Sequence, residues 1–177
     1  MNMKPMKQVQ WMILAVGLSY CKTPTTPSDH SQHLASKQSK STDKSQNTLA
    51  SLILMDYMKI KDALVVSDNE EVSLLAKNFL NDLKNEMSPS SEALFEAADS
   101  LSNALDLDTQ RQAFKSVTEV LTQWIKASNT QETSFIQFCP MAFKGQGATW
   151  LSRSKEIKNP YFGAMMLNCG RIEEKIN

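Results

Sequence analysis

Apolar side chains recur at every third or fourth position in four stretches between residues 47 and 128, which is the spacing of one helix face. The first stretch covers residues 47–67. Asp68 precedes the second, Ser88-Pro89 opens the third, and Asp108 precedes the fourth. These are typical helix starts, because aspartate caps free amide groups and proline is tolerated in a first turn. The large side chains predicted to lie inside are Tyr57, Phe79, Leu101, Leu105, Phe114, Leu121 and Trp124.

Four amphipathic helices of similar length with short connections predict a mainly α domain. Their natural packing is an up-down-up-down, antiparallel four-helix bundle. Residues 135–138 predict a short strand or extended segment, Trp150-Leu151 an apolar anchor, and residues 172–176 a final short helix. These C-terminal pieces are too short to form a core of their own. We therefore expect an irregular C-terminal segment, rich in Cys and Met, that packs on the bundle.

The N-terminal 45 residues predict export and tethering. Residues 1–21 place two lysines before a short apolar run, which is typical of a secretory signal peptide and too short to span a bilayer. The ending Leu18-Ser19-Tyr20-Cys21 resembles a lipoprotein signal in which Cys21 becomes lipidated, although Tyr20 stands where a small residue is usual. Residues 22–45 are polar and predict a disordered tether, so residues 46–177 form a single domain. The predicted location is the periplasm or cell envelope, with a lipid anchor in a membrane.

Charge excludes one class of partner. Lys and Arg together number 19 and so do Asp and Glu, and the basic residues form no continuous stripe. Residues 46–138 hold 7 basic and 14 acidic side chains, whereas residues 139–177 hold 6 and 3. A nucleic-acid-binding domain needs a basic surface that follows the phosphate backbone. We therefore expect no binding to nucleic acid.

Soft sulfur ligands are concentrated near the C-terminus. Cys139 and Met141 are two residues apart, which places them on the same side of an extended chain, and Met166 and Cys169 share one face of a helical turn. Two thiolates and two thioethers predict a site for Cu(I) or Ag(I), because soft ligands select soft ions. The alternative is a disulfide between Cys139 and Cys169, as expected for two cysteines in an exported domain.

Catalysis is not expected. The only histidines, His30 and His33, lie in the predicted tether, so a Cys-His or Ser-His pair cannot form inside the domain. A thiol oxidoreductase would normally show Cys-x-x-Cys, and here Pro140-Met141 follows Cys139. The sequence therefore predicts a binding protein or an interaction module and assigns no catalytic residue.

Several motifs resemble a known family. They are Tyr57-x-x-Ile60-Lys61-Asp62-Ala63-Leu64, Phe138-Cys139-Pro140-Met141-Ala142, Gly147-Ala148-x-Trp150-Leu151-Ser152, Ile157-x-Asn159-Pro160-Tyr161-Phe162-Gly163 and Met166-Leu167-x-Cys169-Gly170. Over residues 49–176 the chain resembles a domain of unknown function that occurs in stand-alone exported proteins and as the C-terminal extension of membrane-fusion adaptors in copper/silver efflux systems. The resemblance implies a role in handling heavy metals, with an efflux adaptor or transporter as partner. It implies Cys139, Met141, Met166 and Cys169 as ligands, and it brings no reaction.

Overall fold

The computed structural model describes residues 35–86, 91–128 and 132–176, with side chains for residues 48–85, 91–128 and 132–176. Over these residues the protein is mainly helical with a small antiparallel sheet. The helices are α1 (Ala35–Val66), α2 (Asn69–Glu86), α3 (Glu92–Ser102), α4 (Leu107–Ala127) and the short α5 (Ala142–Gly145). The strands are β1 (Ser134–Cys139), β2 (Ala148–Ser152) and β3 (Arg171–Ile176), and a 3-10 helix, Gly163–Met166, precedes β3.

The predicted signal peptide, Cys21 and the two histidines lie outside the described residues. Where the description begins, α1 starts at Ala35 and not at residue 47, so the last part of the stretch expected to be a disordered tether is helical. Residues 35–66 contain neither glycine nor proline, and nothing in the backbone therefore stops the helix from extending in this direction. No helix in the described part of the chain is long and apolar enough to cross a membrane.

The predicted start of the third helix, Ser88-Pro89, lies outside the described residues, and α3 is described from Glu92. Of the two predicted aspartate caps, one is confirmed and one is wrong. Asp68 caps α2 as predicted, since its carboxylate accepts a hydrogen bond of 3.0 Å from the backbone N–H of Glu71. For α4 the cap is Asp106 and not Asp108. Asp106 accepts from the Thr109 N–H at 2.9 Å and Thr109 accepts from the Asp106 N–H at 3.3 Å, which is a complete capping box. These bonds lower the pKa of Asp106 from its usual value, mainly through the Thr109 N–H.

The predicted core positions are largely buried, with two corrections. Leu105 is 86% exposed, because α3 ends at Ser102 and Leu105 lies in the connection to α4. Trp124 is only partly buried, and its neighbour Ile125 takes the inward position on α4. The buried large side chains that were predicted are Tyr57, Phe79, Leu101, Phe114 and Leu121.

Helices and sheet share one hydrophobic core. Each of α1, α2 and α3 packs on the next helix along the chain, and α4 also packs on β2, which carries the fully buried Trp150 and Leu151. The expected packing of the C-terminal segment on the helices is therefore observed. The up-down order of a four-helix bundle remains a prediction.

Residues 172–176, predicted to be a short helix, belong to strand β3. The central strand β1 pairs antiparallel with β2 on one side and with β3 on the other, so the order is β2-β1-β3. Ile172 and Ile176 are four residues apart, which fits a helix face. The second edge of β1, however, offers unpaired backbone groups, and β3 pairs with it from Arg171 to Ile176.

A buried tyrosine joins the helices to the sheet. The hydroxyl of Tyr57 on α1 lies 2.7 Å from the hydroxyl of Thr118 on α4 and accepts a 3.1 Å hydrogen bond from the N–H of Leu151 on β2. The Tyr57 ring stacks on Phe114 with centroids 4.8 Å apart. Burial raises the pKa of Tyr57 well above its usual range, so the phenol stays neutral.

Candidate functional site

The structure brings Cys139 and Cys169 together. Cys139 is the last residue of β1 and is fully buried, whereas Cys169 follows the 3-10 helix and is partly exposed. Their sulfur atoms lie 2.8 Å apart, and both thiols are free. Two segments that are distant in sequence thus deliver one sulfur each to a single point. The assignments of this pair to a metal or to a disulfide remain predictions.

Cys139 and Met141 do not share a side of an extended chain. The strand ends at Cys139, where β1 still pairs with Ala148 of β2, and Met141 already has helical backbone angles, with φ −87° and ψ −12°. Met141 is 54% exposed while Cys139 has no exposure. The spacing argument assumed that the extended backbone continues past Pro140, but the chain turns at that residue.

The turn after Met141 has an unusual backbone. Phe143 and Lys144 have φ angles of 50° and 59°, in the left-handed region that side chains with a Cβ avoid. Such conformations cost about 1–3 kcal/mol each and persist where the surroundings enforce them. Here the Phe143 ring packs edge-on against Tyr161 at 5.3 Å, and the N–H of Gly147 donates to the Ala142 carbonyl at 3.0 Å. The turn is therefore held by its own hydrogen bonds and by an aromatic anchor.

Cys169 is fixed mainly through its backbone. Its N–H donates to the carbonyl of Met166 at 3.0 Å, and its carbonyl accepts a 2.8 Å hydrogen bond from the side-chain amide of Asn159. The next residue, Gly170, has φ +152°, and a Cβ there would lie 2.8 Å from the Trp150 ring and 3.0 Å from the Phe138 carbonyl. Only glycine lets the chain run this close to β1 and β2. Cys169 thereby reaches the end of β1.

The Cys169 thiol holds its proton. The pKa of the Cys169 thiol is raised, first by the hydrogen bond that it shares with Cys139 and then by burial, while the backbone N–H of Met141 opposes the shift by donating to the Cys169 sulfur. The thiol form is therefore favoured at neutral pH, unlike the thiolate of a reactive cysteine. Nearby, the guanidinium of Arg171 lies 4.8 Å from the centroid of the Phe138 ring.

The two predicted methionine ligands adjoin the pair through their backbones. The Met141 N–H donates to the Cys169 sulfur, and the Met166 carbonyl accepts from the Cys169 N–H. Met166 is partly buried, and the adjacent Met165 is 81% exposed. Within the described ranges, no group of three or more His, Cys, Asp or Glu side chains is arranged to hold a metal ion.

Sequence reasoning missed Asn159. In the sequence analysis Asn159 appeared only as part of a family motif, whereas in the structure its side chain is fully buried and its amide donates a hydrogen bond to the Cys169 carbonyl. Asparagine before proline, with glycine four residues after it, is a turn signal that could have directed attention to this loop.

A family model described as "Protein of unknown function (DUF3347)" matches residues 53–133. The matched stretch runs from α1 to the residue before β1, so Cys139 and Cys169 both lie outside it. Comparisons with curated proteins and with solved structures found no match. The family description assigns no activity to the helical part of the chain.

Proposed function

We propose that this protein is a soft-metal-binding protein that holds Cu(I) or Ag(I) through Cys139 and Cys169. The observation that carries the proposal is the distance of 2.8 Å between two free sulfurs from separate segments. Thiolate and thioether sulfur select soft, low-charge ions, whereas hard cations prefer oxygen. Met141 and Met166, whose backbones are hydrogen-bonded to Cys169, are the candidates for additional sulfur ligands. The protein acts as a binder, not as an enzyme.

Metal binding requires the pair to open. Two thiolates that held one metal ion between them would lie further apart than the present 2.8 Å, so the two sulfurs would have to separate. Cys139 is held in the central strand and the backbone of Cys169 is held by Asn159 and Met166, so the separation would come from rotation of the Cys169 side chain.

A second candidate function is supported by the same distance. A disulfide bond is about 2.05 Å long, so the sulfurs need to approach by less than 1 Å to form one. In that state the protein is a disulfide-stapled interaction module of the cell envelope with no metal. Closing the loop between Cys139 and Cys169 would stabilise the fold by about 3–4 kcal/mol in the loop-entropy model. Oxidation would also eject a bound metal, because both ligands must be thiolates.

Location and partner extend the proposal beyond the described residues. The signal-like residues 1–21 and the lipoprotein-like Cys21 support export and anchoring in the periplasm or envelope. The resemblance to efflux-associated domains supports sequestration of the metal or its delivery to an efflux adaptor or transporter. Cys21→Ser should release the mature protein from membranes, and unchanged membrane fractionation of this variant would contradict a lipid anchor.

The decisive experiment is an anaerobic Cu(I) titration of the reduced protein against a competing chelator. We expect one Cu(I) per domain, near-complete loss of binding in Cys139→Ser and Cys169→Ser, and weaker binding in Met141→Leu and Met166→Leu. Met55→Leu is the matched control, because Met55 is a half-exposed methionine on α1, in a different part of the fold. Its affinity should equal that of the unmodified protein.

A count of free thiols on protein purified without reductant separates the two candidates. Two free thiols in the domain together with Cu(I) uptake support the metal-binding protein. A protein with no free thiols that still takes up no Cu(I) after reduction is the stapled module, and the metal proposal is then wrong.

A further inference from the structure

Asn159 uses every polar group it has to hold one loop. Its side chain is fully buried, with Nδ2 donating to the Cys169 carbonyl and Oδ1 accepting from the Tyr161 N–H, both at 2.8 Å. Its backbone N–H donates to the Leu167 carbonyl at 2.8 Å, and its carbonyl accepts from the Gly163 N–H at 3.1 Å. Asn159 thus hydrogen-bonds both the first half of the loop 159–169, at Tyr161 and Gly163, and its last half, at Leu167 and Cys169.

This loop is anchored to the helices and to the sheet. Arg111 on α4 donates through Nε to the Pro160 carbonyl at 3.0 Å and through Nη2 to the Ser67 hydroxyl at 2.9 Å. The Tyr161 hydroxyl donates to the Thr149 carbonyl of β2 at 2.5 Å. The start of the loop is therefore anchored to α4, to the connection after α1, and to β2. From this anchored position Asn159 hydrogen-bonds Cys169, the cysteine of the loop.

We infer that Asn159 is the positioning residue of the sulfur pair and that its amide sets how closely Cys169 is held to Cys139. The inference deepens the proposed function, since it rests on this pair being the functional centre. Without the Nδ2 donor, the Cys169 carbonyl loses its buried partner, and the end of the loop is held only by backbone bonds. The effective concentration of one thiol at the other then falls, and the equilibrium constant for joining the two sulfurs in a disulfide falls with it.

The test is Asn159→Asp, which keeps the size and the oxygen that accepts from Tyr161 but removes the donor to Cys169. The matched control is Gln137→Glu. Gln137 is equally buried, and its Nε2 donates to the carbonyls of Ser154 at 2.9 Å and Glu156 at 3.2 Å, in a loop without cysteine. Both variants replace a buried amide by an acid of the same size, so a general loss of stability affects both. A specific effect on the thiol pair appears only in the first.

The readout is the equilibrium of the pair with glutathione. One glutathione disulfide oxidises the two thiols to one S–S bond, and the two thiol hydrogens and two electrons yield two molecules of reduced glutathione. In Asn159→Asp we expect the equilibrium constant for disulfide formation to fall by about tenfold or more, which corresponds to a potential higher by about 30 mV. Gln137→Glu should stay within about threefold of the unmodified protein. Equal shifts in the two variants would overturn the inference.

A measurement on the unmodified protein covers the case in which Asn159→Asp does not fold. The side-chain amide protons of Asn159 should exchange with solvent far more slowly than those of Asn103, whose amide is exposed. Their NMR resonances should also shift when the pair is oxidised. Exchange as fast as that of Asn103, or resonances that ignore oxidation, would show that Asn159 does not hold Cys169.

The two proposals fail separately. Absence of Cu(I) uptake by the reduced protein defeats the proposed metal function, whereas the glutathione equilibrium contains no metal and still reports positioning. Conversely, an unchanged glutathione equilibrium in Asn159→Asp would show that Asn159 does not position the pair, and it would not affect the result of the Cu(I) titration.

Discussion

The helical region (residues 35–127) and the C-terminal segment (residues 134–176) are built on different principles. Buried positions of the helical region are mostly aliphatic or aromatic and recur at helical spacing. The C-terminal segment has no such period and buries the polar side chains of Ser134, Gln137, Ser152 and Asn159. A family model matches residues 53–133, which excludes the segment with the sulfur pair. Local periodicity therefore organises one region, and specific long-range bonds organise the other.

This difference does not make the C-terminal segment an appendage. Trp150 of β2 is among the largest fully buried side chains, in the same core as Tyr57 and Phe114. Helices that expose a stripe to the sheet need the sheet in order to bury that stripe. The two regions should therefore unfold together, and the substitutions below test that coupling.

The two described tryptophans provide the largest test. Trp150→Ala removes a fully buried ring from the shared core and should lower the free energy of unfolding by about 3–5 kcal/mol. Trp124→Ala should cost less, because Trp124 on α4 is only partly buried. Urea denaturation followed by helical circular dichroism measures both. If Trp150→Ala leaves the unfolding transition of the helices unchanged, the two regions unfold independently.

Glycine at a crowded junction provides the next test. Gly163 has φ +56°, and a Cβ there would lie 2.6 Å from the Ser67 hydroxyl and 2.9 Å from the Val65 carbonyl, both at the end of α1. Gly163→Ala should therefore cost about 2–4 kcal/mol, from backbone strain together with overpacking. Gly145→Ala is the control, because Gly145 also has positive φ but has open space around it. Equal losses would mean that backbone strain alone matters and that the contact with α1 carries no energy.

Tyr57 tests the polar link between the regions. Tyr57→Phe leaves the buried N–H of Leu151 without its acceptor and should cost about 1–3 kcal/mol at neutral pH. A loss no larger than that of an exposed Ser→Ala change would show that another group replaces the hydroxyl.

The same variant should change the pH dependence at high pH. Burial raises the pKa of Tyr57 and of Tyr161 in the folded state, so this contribution is complete below an unfolded pKa of about 10 and is lost as the pH rises above it. The free energy of unfolding should fall there by about 1.4 kcal/mol per pH unit for each tyrosine. Tyr57→Phe should remove the contribution of one tyrosine to this change of unfolding free energy with pH, as measured by denaturation at pH 9 to 11. An unchanged slope would place Tyr57 in contact with solvent.

The smallest expected effect concerns a purely local feature of the helical region. Asp106→Ala removes the capping box of α4 and should lower the melting temperature by a few degrees, whereas Asp108→Ala should lower it less. Because the Asp106 pKa is lowered in the folded state, its contribution is present above an unfolded pKa of about 3.9 and disappears as the pH falls through the folded pKa. A larger effect of Asp108→Ala would show that Asp108, as predicted from sequence, caps α4.

The sequence by itself determined the helices and one cap, and it indicated Cys139 and Cys169 as the candidate pair. Spacing of three and four places Tyr57, Phe79 and Phe114 inward wherever the helices pack, because a helix turns by a fixed angle per residue. Asp68 could be recognised because a cap acts on the N–H groups of its own helix.

Tertiary structure decided the rest. Residues 172–176 have helical spacing, but the free edge of β1 makes them a strand, and the cap of α4 depends on which aspartate meets Thr109. The sulfur pair is assembled in the same way, since Asn159 and Gly170 bring Cys169 to the end of β1 by bonds and close contacts between residues far apart in sequence. A periodic pattern records which face is apolar, but it carries no information on which distant backbone group a buried amide will bind.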